Sequence, residues 1–225
     1  MIALLGGTFD PIHEGHVSLA KAIVSQFKAD RLLLIPAAQN PLKKNSPVAS
    51  DSERCKMIEA ALKEAGDKRL ELCTIEIERQ GKSYTVDTLE TLKKSVSSKK
   101  LTLVIGDEVF TQFAEWHRPR DILKCANLII VTRTQKRPDV EEVLRKIGVT
   151  PRQLSPNKWS VIETFSEIEI FPFEALPFSS TSIRENLRRL WENWDHEKSH
   201  TMMPRGIQRS VWEVIKVSKL YAVRQ

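Results

Sequence analysis

Two histidines three residues apart, His13 and His16, close the opening stretch MIALLGGTFDPIHEGH, after a double glycine, Gly6-Gly7, and an Asp10-Pro11 turn. Imidazoles at that spacing lie on one side of a helical turn. They can donate hydrogen bonds to phosphate oxygens, and an adjacent anion favours protonation of one of them. Glycines let backbone approach a ligand with no Cβ in the way. A helix start adds unpaired N–H groups and the positive end of a dipole. Together these features predict a phosphate site, in preference to histidines that merely cap a helix. The pattern is neither G-x-G-x-x-G nor G-x-x-x-x-G-K-[ST], so it is not a dinucleotide fingerprint or a P-loop. It also lacks the spacing and the glutamate of H-E-x-x-H, so no zinc is expected there.

A second anion site is predicted in FSSTSIRENLRRLWENW. Ser179, Ser180 and Thr181 bring hydroxyls and amides to a helix start, with Arg184 in the first turn. Standing alone, this would read as a serine-capped helix with a surface arginine. Lys43 and Lys44 follow a strand in the loop AAQNPLKKNSPVAS, where α/β folds place ligands; a solvated basic loop is the alternative. Asp107 ends the apolar run Leu101–Ile105, placed for a ribose hydroxyl, a hydrated metal or a helix cap. Tyr84 and Thr85 open another helix, with Thr85 expected as its cap. Phe110 and Phe113 read as core, and Trp116 could line a pocket mouth. His196 and His200 have metal-like spacing but no third ligand nearby, so they are expected to be solvated.

The elements that must hold these residues follow from periodicity. Met1–Leu5, Arg31–Ile35, Leu101–Ile105, Asn127–Arg133 and Glu167–Phe171 read as strands, and the alternation from Glu71 to Glu78 as a strand with one wet face. Helices are expected where Val17, Ala20, Val24 and Phe27 share a stripe, after the Ser50/Glu53 capping box, at Val86/Leu89/Leu92, from Pro138 to Gly148, after Ser179, and around Val211, Val214 and Ile215. Residues 149–166 read as loop. The order predicts one α/β domain over 1–225: a Rossmann-like parallel sheet flanked by helices, with a helical C-terminal end from about residue 180.

The 225 residues can bury a real core, and 41% are hydrophobic. The net charge of +6 suits polyanionic partners, nucleotides or nucleic acid. No RNA-recognition motif, zinc finger or basic helix is present, so nucleic acid is not the expected partner. No apolar run is long enough for a bilayer. Met1–Leu5 breaks at the glycines, which predicts no signal peptide. Cys55, Cys73 and Cys125 are far apart without C-x-x-C, as reduced structural thiols of a cytoplasmic protein would be.

GGTFDPIHEGH resembles the G-x-F-D-P-x-H-x-G-H signature of the HxGH nucleotidyltransferases, which transfer AMP or CMP from a nucleoside triphosphate to a phosphate oxygen. Together with SSTSIR, SYTVDTL, GDEVFTQFAEWHRPRDIL, IIVTR and the closing LY, nearly the whole chain is similar to the bacterial nicotinate mononucleotide adenylyltransferases. That resemblance implies ATP and nicotinate mononucleotide as ligands, Mg²⁺ carried by ATP rather than by a protein cage, and a monomer or homodimer. It implies catalytic roles for His13, His16, Lys43 and Arg184. ATP contacts fall on Gly6, Gly7, Thr8, Phe9, Gly15, Ser180, Thr181 and Ile183. The acceptor nucleotide falls to Gly7, Thr8, Asn40, Tyr84, Thr85, Asp107 and Trp116. Two positions depart from the pattern: Leu42 replaces a usual histidine, and His117 stands where many relatives carry an aromatic. The alternatives are a nicotinamide mononucleotide or dual-specificity enzyme, a pantetheine-phosphate adenylyltransferase, and a silent nucleotide- or nucleic-acid-binding module.

Overall fold

The computed structural model describes residues 1–38, 47–79, 83–96, 100–133, 137–194 and 203–222. Asn40, Lys43, Lys44, Gly81, His196 and His200 lie outside them.

The apolar run at the start forms β1 (Ile2–Gly7), followed by α1 (Glu14–Gln26) and β2 (Arg31–Pro36). Next come α2 (Asp51–Ala65), β3 (Leu70–Leu72), α3 (Ile75–Arg79), α4 (Thr85–Ser95) and β4 (Leu101–Gly106). Then α5 (Asp107–Phe110), a 3-10 turn (Phe113–Glu115), α6 (Pro119–Cys125) and β5 (Ala126–Thr132) lead to α7 (Val140–Lys146). The remainder is β6 (Pro151–Ser155), β7 (Lys158–Val161), β8 (Glu167–Pro172), α8 (Ser180–Glu192) and α9 (Arg209–Val217). The eight strands form one sheet in the order β3-β2-β1-β4-β5-β8-β7-β6. β3 through β8 run parallel, and β7 and β6 add an antiparallel hairpin. The chain leaves β1 in one direction for β2 and β3, then crosses back to β4. That reversal makes the carboxyl ends of β1 and β4 the switch point where such sheets bind ligands.

Successive strand residues face opposite sides, so the sheet has two cores. Ala3, Leu5, Leu32, Leu34, Ile129 and Val131 pack with α1, α2, α8 and α9; Ile2, Leu4, Leu33, Ile35, Leu128 and Ile130 pack with α4, α6 and α7. The C-terminal helices are bound in by polar contacts as well. Ser210 Oγ donates to the Ala60 carbonyl (2.9 Å) and Gln208 Nε2 to that of Ala61 (3.3 Å). The Ser50/Glu53 capping box forms as expected, and Gly66 ends α2 in the left-handed conformation. All three cysteines are free, and burial pushes each thiol pKa up, which suits unreactive packing groups. Among the described residues, no helix is long and apolar enough to cross a membrane.

Three expectations are corrected. Residues 71–78 do not continue as a strand: β3 ends at Leu72, and the Thr74 carbonyl accepts from Glu78 N (2.9 Å) to start α3. An eight-residue alternation serves a short strand followed by one turn of helix as well as a single edge strand. Residues 149–166 are not loop but the β6–β7 hairpin. Its edge strand leaves four of five residues exposed, so no apolar pattern marks it, while Trp159 and Val161 of β7 point into the core. Finally, α4 is capped by Tyr84 and α5 by Gly106, so Thr85 and Asp107 are first helical residues rather than caps.

Candidate functional site

A cavity of about 820 Å³ opens at the carboxyl ends of β1 and β4. Its two ends differ in chemistry.

At one end β1 turns through Gly6-Gly7 into the residues before α1. Phe9 has a φ of +49°, and the Asp10–Pro11 peptide is cis. The Phe9 ring folds back so closely that a Cβ on Gly7 would meet its Cζ at 2.9 Å, so that position requires glycine. A Cβ on Gly15 would likewise meet the His13 ring at 3.0 Å. His13 caps α1 and His16 sits three residues into it. Their rings stack at 3.7 Å between centroids, and the Phe9 ring stands edge-on to His16 at 5.0 Å. His16 Nδ1 accepts from His13 N (3.3 Å), which puts the proton of a neutral His16 ring on Nε2. Burial, then the nearby Arg133 charge, hold the His13 pKa down at about 4; burial, His13 and Arg133 hold that of His16 well below its usual value. Both rings are neutral donors.

The turn is held from three directions. Arg54 of α2 is fully buried; its Nη1 donates to the Thr8 carbonyl and Nη2 to that of Ala37, 2.7 Å each, and it pairs with Asp51. Asp10 accepts from Val48 N (2.7 Å), Ala49 N (3.1 Å) and the Tyr221 hydroxyl (2.8 Å). At the start of α8, Ser180 Oγ donates to the Pro11 carbonyl (2.9 Å) and Arg184 Nη1 to that of Asp10 (2.6 Å). Two helix N-termini and an arginine fork thus meet over one turn of chain.

At the other end the wall is aromatic. Tyr84 and His117 pack ring to ring at 4.5 Å, and Trp116 packs on Phe113 at 5.5 Å. The Trp116 indole N–H is buried with no partner among the described residues. Glu76 of α3 lines the same cavity and accepts from Thr88 Oγ1 (3.0 Å), and burial raises its pKa. Arg79 donates to Ser83 Oγ (2.6 Å) and Thr88 Oγ1 (3.2 Å), bracing the segment before Tyr84.

Of the residues singled out in the sequence, Gly6, Gly7, Thr8, His13, Gly15, His16, Tyr84, Thr85, Asp107 and Trp116 line the cavity. Asp107 also accepts from Glu108 N (3.0 Å). Ser180 and Arg184 join through the Asp10–Pro11 turn, and Thr181 Oγ1 accepts from Arg184 Nη2 at 3.4 Å. Two of the expected ATP contacts turn out to be packed inside. The Phe9 and Ile183 side chains are each 1% exposed, and Ile183 N already donates to the Ser179 carbonyl. Arg133, Glu76, Arg54 and the Asp10 carboxylate were not read as site residues. Arg133 had a local signal, a cation just past the carboxyl end of a parallel strand next to β4; the others depend on long-range contacts. Among the described residues no three His, Cys, Asp or Glu side chains gather as metal ligands.

Comparison with known proteins shows the family and the fold. The cytidylyltransferase-like family model matches residues 4–186. A relative from Hydrogenovibrio crunogenus, named a probable nicotinate-nucleotide adenylyltransferase, is 32% identical over 95% of each chain. One of the same name from Aquifex aeolicus is 36% identical over 65% of this chain and 85% of its own. In three dimensions the chain is similar to Plasmodium falciparum nicotinic acid mononucleotide adenylyltransferase, solved with NaAD. The TM-score is 0.68 at 16% identity, covering 98% of this chain and 96% of that one, a likeness of fold. With a family model over four-fifths of its length and relatives above 30% identity from end to end, the chain belongs to the cytidylyltransferase-like family, among the nicotinate-nucleotide adenylyltransferases.

Proposed function

We propose that the protein transfers the AMP moiety of ATP to nicotinate mononucleotide, giving deamido-NAD and pyrophosphate, as a cytoplasmic enzyme of NAD biosynthesis. The observation that carries this reading is the two-ended cavity: neutral imidazole donors at one end, an aromatic wall at the other, in about 820 Å³. The names of the relatives support it.

A phosphate oxygen of the acceptor attacks the α-phosphorus of ATP in line. The bond from that phosphorus to the oxygen bridging the α- and β-phosphates breaks, and pyrophosphate leaves with the electron pair. A phosphate monoester is already anionic, so no general base is required. Catalysis then consists of positioning and of donors aimed at growing negative charge. His16 Nε2 and His13 donate to the triphosphate at the reacting phosphorus. Arg184 and Lys43 hold the leaving pyrophosphate, and the N–H groups at the start of α8 cap it. Gly6, Gly7 and Thr8 present backbone to both nucleotides. Asp107 takes a ribose hydroxyl; Trp116, Tyr84 and Thr85 border the pyridine. Mg²⁺ enters bound to ATP, as part of the substrate.

One feature bears on the choice between acid and amide. An ionised Glu76 beside the pyridine end would repel a nicotinate carboxylate, whereas burial pushes Glu76 toward its neutral form. The test is pyrophosphate release with Mg·ATP and either nicotinate or nicotinamide mononucleotide. Preference for the acid is expected. Comparable rates make the enzyme dual-specific, and no release with either overturns the substrate assignment.

A further inference from the structure

Asp10 poses a question that the reaction leaves open. The residue is 3% exposed, and no ion pair joins its carboxylate to Arg184, which reaches the same residue. Arg184 Nη1 donates instead to the Asp10 backbone carbonyl at 2.6 Å. Other donors hold the carboxylate: Val48 N on Oδ2, and Ala49 N with the Tyr221 hydroxyl on Oδ1, so that both lone pairs of Oδ1 are taken. Tyr221 comes from the far end of the chain, 211 residues away. Its delivery is elaborate. Lys219 and Tyr221 both adopt left-handed backbone, with φ of +45° and +65°, and Trp191 Nε1 donates to the Leu220 carbonyl at 2.7 Å. The ring ends 6% exposed, its hydroxyl 3.9 Å from Met57 Sδ. Burial and the Asp10 charge push the phenol pKa up, so it remains a donor.

We propose that Tyr221 is a positioning residue of the phosphate site: by occupying Asp10 Oδ1 it keeps the carboxylate from capturing the Arg184 guanidinium, which stays available to phosphate oxygens. The inference rests on the proposed function, in which Arg184 holds the leaving pyrophosphate. Without the phenol, Oδ1 has a lone pair open to a charge-assisted bond from the Arg184 guanidinium. An arginine neutralised in that way attracts a polyphosphate less. A phenol donor competes for the same lone pair without adding a charge. The last described turn of the chain thereby sets the free charge of a site built from its first sixteen residues.

The experiment is a double-mutant cycle on the full chain, reading pyrophosphate release against Mg·ATP for wild type, Tyr221→Phe, Arg184→Gln and the double variant, with thermal melts of each. Tyr221→Phe removes one oxygen. It is expected to lower kcat/KM for ATP roughly tenfold, mainly through KM, the scale of one lost hydrogen bond to a charged group. In the Arg184→Gln background the same change is expected to cost less than about twofold, because the charge it protects is already gone. Equal losses in both backgrounds, or a lower melting temperature with unchanged kinetics, would overturn the inference. Should Tyr221→Phe fold poorly, Trp191→Phe loosens the Leu220 anchor without touching Asp10 or Arg184. It should raise KM for ATP in the same Arg184-dependent way, and an unchanged KM counts against the proposal. If wild type releases no pyrophosphate, the substrate assignment fails separately, and the cycle is read from equilibrium titrations with a non-hydrolysable ATP analogue. The same Arg184-dependent loss of affinity is expected there, and its absence overturns the inference.

Discussion

The two ends of the cavity are built by different means. The phosphate end is over-determined: Arg54, Asp10, Ser180 and Arg184 hold one turn of chain from α2, the segment before it and α8, with the histidine rings stacked on α1. The pyridine end rests on short elements, α3, the start of α4 and the 3-10 turn, braced by the Arg79–Ser83–Thr88–Glu76 chain of hydrogen bonds. Groups that must meet charge growing in a transition state need fixed positions, because each misplaced donor loses its advantage over water. A surface that recognises a flat ring needs area and a few polar contacts. On the proposed function, the contrast would give rate to the first end and choice of acceptor to the second.

The sharpest way to break that division is His16→Ala. With a transition-state donor removed, kcat/KM should fall by roughly 10²-fold or more in pyrophosphate release, with either nucleotide varied. A loss confined to KM would move His16 out of the chemistry. Arg184→Lys keeps the charge and loses the fork, so a fall of about tenfold is expected, carried by the kinetics of ATP. Near-normal turnover would make Arg184 structural, a tie for the Asp10 carbonyl.

Trp116→Ala should act on the other side of the comparison. It should raise KM for the acceptor nucleotide by roughly tenfold, as one aromatic contact is lost, with kcat and KM for ATP little changed. If kcat fell as far as with His16→Ala, the two ends would not be separable.

The smallest effect is a pH dependence of stability, read from melting temperatures between pH 4 and 7.5. The folded state holds His13 at about 4, below its ordinary value of 6.5. Above 6.5 neither state is protonated there, and nothing is lost. As pH falls from 6.5 toward 4 the unfolded chain takes up the proton first and stability drops, by at most about 3 kcal/mol from this group. Below about 4 that loss levels off. His13→Gln should flatten this part of the profile, and an identical acid limb would show that another group sets it.

Much of this was legible in local sequence. Continuous apolar runs become buried parallel strands because both faces of such a sheet are covered. Thus Ile2–Gly7, Arg31–Pro36, Leu101–Gly106 and Ala126–Thr132 are recognisable without neighbours. The glycines and histidines of the first turn are likewise local: Gly7 accommodates Phe9, Gly15 accommodates His13, and His16 bonds to the His13 backbone, all within ten residues. Where period-2 alternation was short, as at residues 71–78, or absent, as on the edge strand β6, pattern alone could not decide. An edge strand need bury nothing, and the end of a short strand followed by a turn of helix fits the same eight residues.

What sequence cannot carry is closure between distant segments. Buried charge is tolerable only where donors or acceptors converge on it, and that convergence is a property of the packed chain. Arg54 reads as an ordinary helix cation until it is buried against Thr8 and Ala37. Asp10 reads as half of a turn signal until Val48, Ala49 and Tyr221 donate to it. The amino-acid order determined most of the parallel strands, the first turn and the histidines and glycines that build it. Only tertiary structure decided which charges are spent on holding the fold and which remain for a ligand, because lone pairs are filled by whatever donor packing brings within reach.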